Sequence, residues 1–144
     1  MKNDHLIPQE KVQDLIPQKA PIIMVDALFD FSDHSVKAGL TIQESNIFVQ
    51  NNQLQASGII EHMAQTVALH TGYAFYLKQK PAPMGYIGSI KKIEIHSLPK
   101  VEENLVTEAK IIQEFMGITL VEVSTFCNEK LMAQGQMKTV LAEK

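Results

Sequence analysis

The stretch Ser57–Leu77, SGIIEHMAQTVALHTGYAFYL, constrains this chain more than any other: from His62 to Leu77 it holds no Asp, Glu, Lys or Arg. Leu, Met, Ala and Ile recur at helical spacing, and a surface helix would carry charge on its free face. The spacing therefore predicts a helix covered on nearly every side. A bilayer span needs about 20 predominantly apolar residues, and this run includes Gln65, Thr66, His70 and Gly72, so the reading is a buried helix with no membrane span. The exception is Glu61, a lone carboxylate near the helix start.

A chain of 144 residues is the length of one domain, and the expectation is a single unit over residues 1–144. A net charge of -3 points to neither nucleic acid nor an anionic membrane as partner. The single cysteine, Cys127, excludes an internal disulfide, and MKNDHLIPQEK lacks the apolar core of a secretory signal; both predict a cytoplasmic protein.

Residues Gln9–Leu15 read as a short helix, ended by Pro17 and Pro21. PIIMVDALFDF reads as a strand and SVKAGLTI as its hairpin partner, with Val36, Ala38, Leu40 and Ile42 on one face. After the long helix, four strands are expected at Tyr86–Ile95, Leu105–Phe115, Ile118–Cys127 and Leu131–Leu141. In the last, Leu131, Ala133, Met137 and Leu141 share one side. Short turns such as FMGI and CNEK favour antiparallel pairing between consecutive strands. Two strands, a helix and four strands make an α+β fold in which a curved sheet wraps around the helix.

With Ser57 as N-cap, Glu61 lies in about the first turn, where the helix dipole favours negative charge. That placement alone is compatible with stabilisation or with chemistry. Gln65 lies about 40° from Glu61 around the axis and shares its face, whereas His62 points about 100° away. Gly58 would allow a ligand to approach the first helical N–H groups, or would serve close packing. Gly72 reads as a close contact with a neighbouring element. His70 and His96 read as core or edge histidines, and His5 and His34 as solvated ones. The scattered histidines, the lone Cys127 and the absence of a glycine-rich phosphate loop imply no metal and no cofactor.

LIPQKAPIIMVDALFD, followed by TIQESNIFVQNNQLQASGIIEHMAQTVALHTGY, resembles the hotdog-fold 3-hydroxyacyl-[acyl carrier protein] dehydratases. These carry a proline-flanked first strand ending in V-D and a helix motif close to E-x-M-A-Q, here Glu61-His62-Met63-Ala64-Gln65. The likeness is closer to a divergent branch associated with aryl polyene-type pigment pathways and runs from about Leu15 to Leu141. It implies a hotdog fold of about six antiparallel strands around one central helix. It also implies assembly edge to edge, as a homodimer, a higher oligomer or a heterodimer. The substrate class implied is an acyl thioester on acyl carrier protein or CoA. In that family an acid at the helix start works with a loop histidine of the other subunit, and backbone N–H groups hold the thioester carbonyl.

The acid carries over to Glu61, and the resemblance makes Ser57, Gly58, Gln65, Asn51 and Asn52 candidate substrate-binding residues. The histidine does not carry over. The family loop G-H-F-P-G corresponds to FVQNNQLQAS, whose Gln and Asn side chains cannot act as bases. The family's L-P-H is likewise Ile16-Pro17-Gln18. Three functions follow: a dehydratase in which Glu61 alternates as base and acid or recruits another histidine, a thioesterase in which Glu61 activates water, and an acyl-binding partner subunit without turnover. Lys91 and Lys92, with Lys19 or Lys100, are candidates for contacting an acidic carrier protein.

Overall fold

A computed structural model describes residues 4–141. The chain enters through α1 (Gln9–Val12), which continues into a 3-10 turn at Gln13–Leu15. Strands β1 (Ala27–Ser32) and β2 (Ser35–Thr41) form a hairpin, and the two-residue strands β3 (Val49–Gln50) and β4 (Gln53–Leu54) form a second, separate one. Asn51 and Asn52 form the turn of this small hairpin with φ of 52° and 64°, the doubly left-handed geometry that a two-residue hairpin loop demands.

The long helix α2 (Ala56–Leu77) follows, then β5 (Gly85–Ile95), β6 (Asn104–Phe115), β7 (Ile118–Cys127) and β8 (Lys130–Leu141). The last three run as a meander because Met116-Gly117 and Asn128-Glu129 supply positive φ at both central turn positions. Six strands make one antiparallel sheet in the order β1-β2-β6-β7-β8-β5. Sheet and helix together are the hotdog architecture expected from the resemblance. Ile59, Met63, Thr66 and Leu69 of α2 are buried, and the helix packs on β2, β6 and β7. No helix among the described residues is long and apolar enough to cross a membrane.

Four expectations need correction. Residues 21–26 are not part of the first strand, because side chains of α2 take up the backbone groups of Met24 that a sheet ladder would have used. Pairing is not consecutive throughout: the chain crosses the sheet after α2, so β5 pairs with β8 and β6 with β2. Leu131 does not share the side of Ala133, since a bulge at Met132 sets Leu131 opposite Phe126 and Ala133 opposite Thr125. Finally, α2 is not covered all round. Within one chain Glu61, Ala64, Ala68 and Thr71 are only half buried, because the sheet covers one side and a cleft remains on the other.

Candidate active site

That cleft, of about 570 Å³, runs between α2, the Asp14–Gln18 segment and the start of β5. Ala64, Ala68 and Gly72 of α2 line it together with Leu15, Ile16 and Pro17, with Gly85 and Ile87 of β5, and with Glu61. A further cavity of about 250 Å³ shares Val67, Thr71, Thr139 and Leu141 with it and extends beneath the β6–β7 turn. A carboxylate in a cleft lined by both apolar and polar side chains suits a ligand with a hydrocarbon part and a reactive polar end.

Glu61 is held by Gln65, one turn on. The Gln65 side chain is 1% exposed, and its Oε1 accepts from the Met24 N–H at 2.6 Å. This acceptor role fixes the amide's orientation, since only the NH2 end then remains to donate. Its Nε2 donates to Ile22 O at 3.0 Å and to Glu61 Oε2 at 2.8 Å. Glu61 Oε1 has no such partner among the described residues. The shared face of Glu61 and Gln65 read from the sequence is thus present, with Gln65 positioning the carboxylate.

His62 points about 100° from Glu61 around the axis and is fully buried. Its Nδ1 donates to Met24 O at 2.7 Å, and its Nε2 is enclosed without a partner. Burial pushes its pKa down to about 4, partly offset by the bond to Met24, so the ring is neutral at pH 7. His70 donates Nε2–H to Ser32 O at 2.8 Å while stacking on Phe31. No histidine lines the Glu61 cleft among the described residues.

Five other candidates stand apart from the cleft. Ser57 is not the N-cap: Gln55 holds that position, with its side chain bonded to Gln50 O and Gln53 O instead of to the helix. Glu61 consequently lies beyond the first turn, where dipole stabilisation has faded. Gly58 is a packing glycine. A Cβ there would come within 2.6 Å of Phe48 Cβ and 2.8 Å of Leu54 Cδ1, and its N–H bonds back to Gln55 O at 2.9 Å. Asn51 and Asn52 are exposed turn residues whose conformation accounts for their identity. Lys19, one of the candidate carrier contacts, folds back onto Gln13 O and Ile16 O.

Sequence reasoning missed how Met24 is used and why Gly72 is small. Met24 gives both its backbone groups to consecutive turns of α2, and the side of Gly72 lies directly against the Leu15 carbonyl. Gln18, noted only as a departure from the family pattern, lines the cleft with its Oε1 enclosed and unpartnered. The polar pair at 62 and 65 in an otherwise apolar helix was the signal that could have pointed to Met24.

A curved sheet around one helix, with a carboxylate held at a cleft suited to an acyl chain, defines a hotdog protein of acyl-thioester chemistry. The chain belongs to the ApeP-like dehydratase family, whose model matches residues 10–144. It is 24% identical over 137 residues to the 3-hydroxyacyl-[acyl-carrier-protein] dehydratase FabZ of Streptococcus mutans, covering 92% of this chain and 96% of that protein. Its fold is similar to that in the dehydratase heterocomplex ApeI:P from Xenorhabdus doucetiae, with TM-score 0.86 and 16% identity over 97% of this chain and 94% of that one. A thioesterase protein with coenzyme A from Streptococcus pneumoniae shares the fold more distantly, with TM-score 0.66 and 9% identity over 81% and 85% of the two chains. The function of this chain is dehydratase-like.

Proposed function

We propose that the protein removes water from a 3-hydroxyacyl thioester carried on acyl carrier protein or CoA, in the cytoplasm, with Glu61 as its acid–base group. The observation that carries this reading is the hold of Gln65 on one oxygen of Glu61, which lines a cleft of about 570 Å³. The Glu61 carboxylate takes the proton from the α-carbon, whose electron pair forms the new C=C bond as the β C–O bond breaks. The same carboxylic acid returns its proton to the departing hydroxyl, which leaves as water. One group thereby does the work that the family divides between an acid and a histidine.

The test is incubation with a 3-hydroxyacyl carrier-protein thioester, reading loss of water by mass. Glu61→Gln keeps the side chain's shape and removes its acid–base capacity, so product formation should vanish while the fold persists. Turnover at the wild-type level in that variant refutes the assignment. A second reading is favoured by one observation, that no histidine among the described residues lines the cleft. Glu61 would then direct a water molecule onto the thioester carbonyl, and the same incubation would yield free acid and thiol.

A further inference from the structure

Gln18 sits in a segment fixed to α2 on both sides. Before it, Ile16 is buried and the Leu15 carbonyl lies directly against Gly72. After it, Ile22 O accepts from Gln65 Nε2 at 3.0 Å, and Lys19 folds its Nζ back to Ile16 O at 2.6 Å. The same Gln65 amide donates to Glu61 Oε2 at 2.8 Å. One buried side chain therefore ties the segment that carries Gln18 to the carboxylate, and Gln18 and Glu61 line the same cleft.

The Gln18 Oε1 is enclosed and has no partner among the described residues. Two further side-chain atoms share that state, His62 Nε2 and Ser89 Oγ, and neither residue lines the cleft. A carbonyl oxygen shut away from water and left unpaired costs free energy, which a ligand able to donate to it recovers. A ligand without a donor at that point recovers nothing.

At the reacting end of a 3-hydroxyacyl thioester the carbonyl oxygen and the sulfur only accept, so the β-hydroxyl is the one group there that donates. Glu61 has to keep an oxygen free for the α-proton. A neutral amide that takes the hydroxyl hydrogen leaves the carboxylate unoccupied, and it leaves the hydroxyl's lone pairs for the proton that Glu61 returns. As that proton arrives and the β C–O bond breaks, the oxygen becomes more positive and its O–H a stronger donor. The bond to Gln18 then strengthens toward the transition state, the condition for raising kcat. Gln18 itself takes no proton, since both hydrogens depart with the water.

We propose that Gln18 recognises the β-hydroxyl of the substrate through Oε1 and orients it as the leaving group, a role that rests on Glu61 and the cleft forming the acyl site. It would make Gln18 the residue that separates a hydroxylated acyl chain from a saturated one.

Gln18→Met keeps the length of the side chain and removes the amide, and Gln18→Leu is a second variant of the same kind. Both are made in a Glu61→Gln background, so that nothing turns over. Calorimetry then reads the binding of the 3-hydroxyoctanoyl and octanoyl thioesters of N-acetylcysteamine. With Gln18 in place the hydroxylated thioester should bind more tightly. Substitution should shrink the ratio of the two dissociation constants roughly tenfold, the worth of one hydrogen bond to an enclosed acceptor, with octanoyl affinity unchanged. The Tm should not fall, because the fold loses no bond at Oε1. With Glu61 restored, both variants should show a lower kcat. A preference for the hydroxylated thioester that survives in both variants, no preference with Gln18 in place, or a joint fall in Tm and in both affinities overturns the role of Gln18 and leaves the dehydratase assignment standing. Failure of both thioesters to bind, in the wild-type protein as well, overturns the two together. A preference that depends on Gln18 in a protein whose Glu61 form releases no water supports the hydroxyl contact and counts against the proposed function.

Discussion

Replacing Gln65 with Leu should separate its structural from its functional role, because the two side chains are similar in volume and only the polar contacts are lost. Three hydrogen bonds disappear. Ile22 is exposed and Glu61 half exposed, so both recover water and cost little. The Met24 N–H lies beneath α2 in a fully buried residue and recovers nothing. An unsatisfied buried donor costs about 1–3 kcal/mol. A loss of about 2 kcal/mol corresponds to a fall in Tm of roughly 6–8 °C for a domain of this size. Turnover should fall by roughly a hundredfold, since Glu61 loses the contact that orients it. Circular dichroism melts at pH 7, together with the dehydration assay on the same sample below its Tm, read the two effects. Gln65→Glu is the companion variant: it keeps an acceptor for Met24, but its second oxygen faces Ile22 O and the Glu61 carboxylate from a buried position, so both Tm and activity should fall. A Gln65→Leu protein with unchanged Tm and unchanged turnover refutes the clamp.

Acid sensitivity should follow His62. Its folded pKa of about 4 lies below the unfolded value near 6.5, so its stabilising effect is complete above pH 6.5 and is lost as pH falls toward 4, by about 3 kcal/mol in all. Urea titrations at successive pH values should show this slope in wild type and its loss in His62→Leu. Gly72→Ala should destabilise more than Gly58→Ala, because the added methyl meets the Leu15 backbone at one site and the side chains of Phe48 and Leu54 at the other; paired melts that reverse this order would contradict the packing. Burial and the neighbouring Glu103 push the Cys127 thiol up to about 11, so it should resist iodoacetamide at pH 8 in the folded protein and react in guanidinium, as mass spectrometry would show.

Local information was legible without coordinates. The uncharged run of α2, the alternation in β2 and the turns at Met116-Gly117 and Asn128-Glu129 depend on residues close together in the chain, and the strands at Ile118–Cys127 and Lys130–Leu141 lie where their periodicity placed them. Glu61 stood out because a carboxylate in an apolar helix is costly unless it is solvated or used. Residues at 51, 52 and 58 were harder to judge, since a polar or small residue near a site has the same letter whether it binds substrate, makes a turn or permits packing. The φ angles of Asn51 and Asn52 and the neighbours of Gly58 show the turn and the packing they serve, and these are properties of the folded chain.

The sequence by itself determined the helix, the strand spacing and the family, and it singled out Glu61 as the one carboxylate of that helix. Tertiary structure alone decided that Met24 runs beneath α2 and takes the polar ends of His62 and Gln65, that β5 crosses to the far edge of the sheet, and that one side of the helix opens onto a cleft. The physical reason is range. Periodicity reports which face of an element is apolar, but residues 41 positions apart meet only when the whole sheet has closed around the helix, and that contact is what holds Glu61 in place.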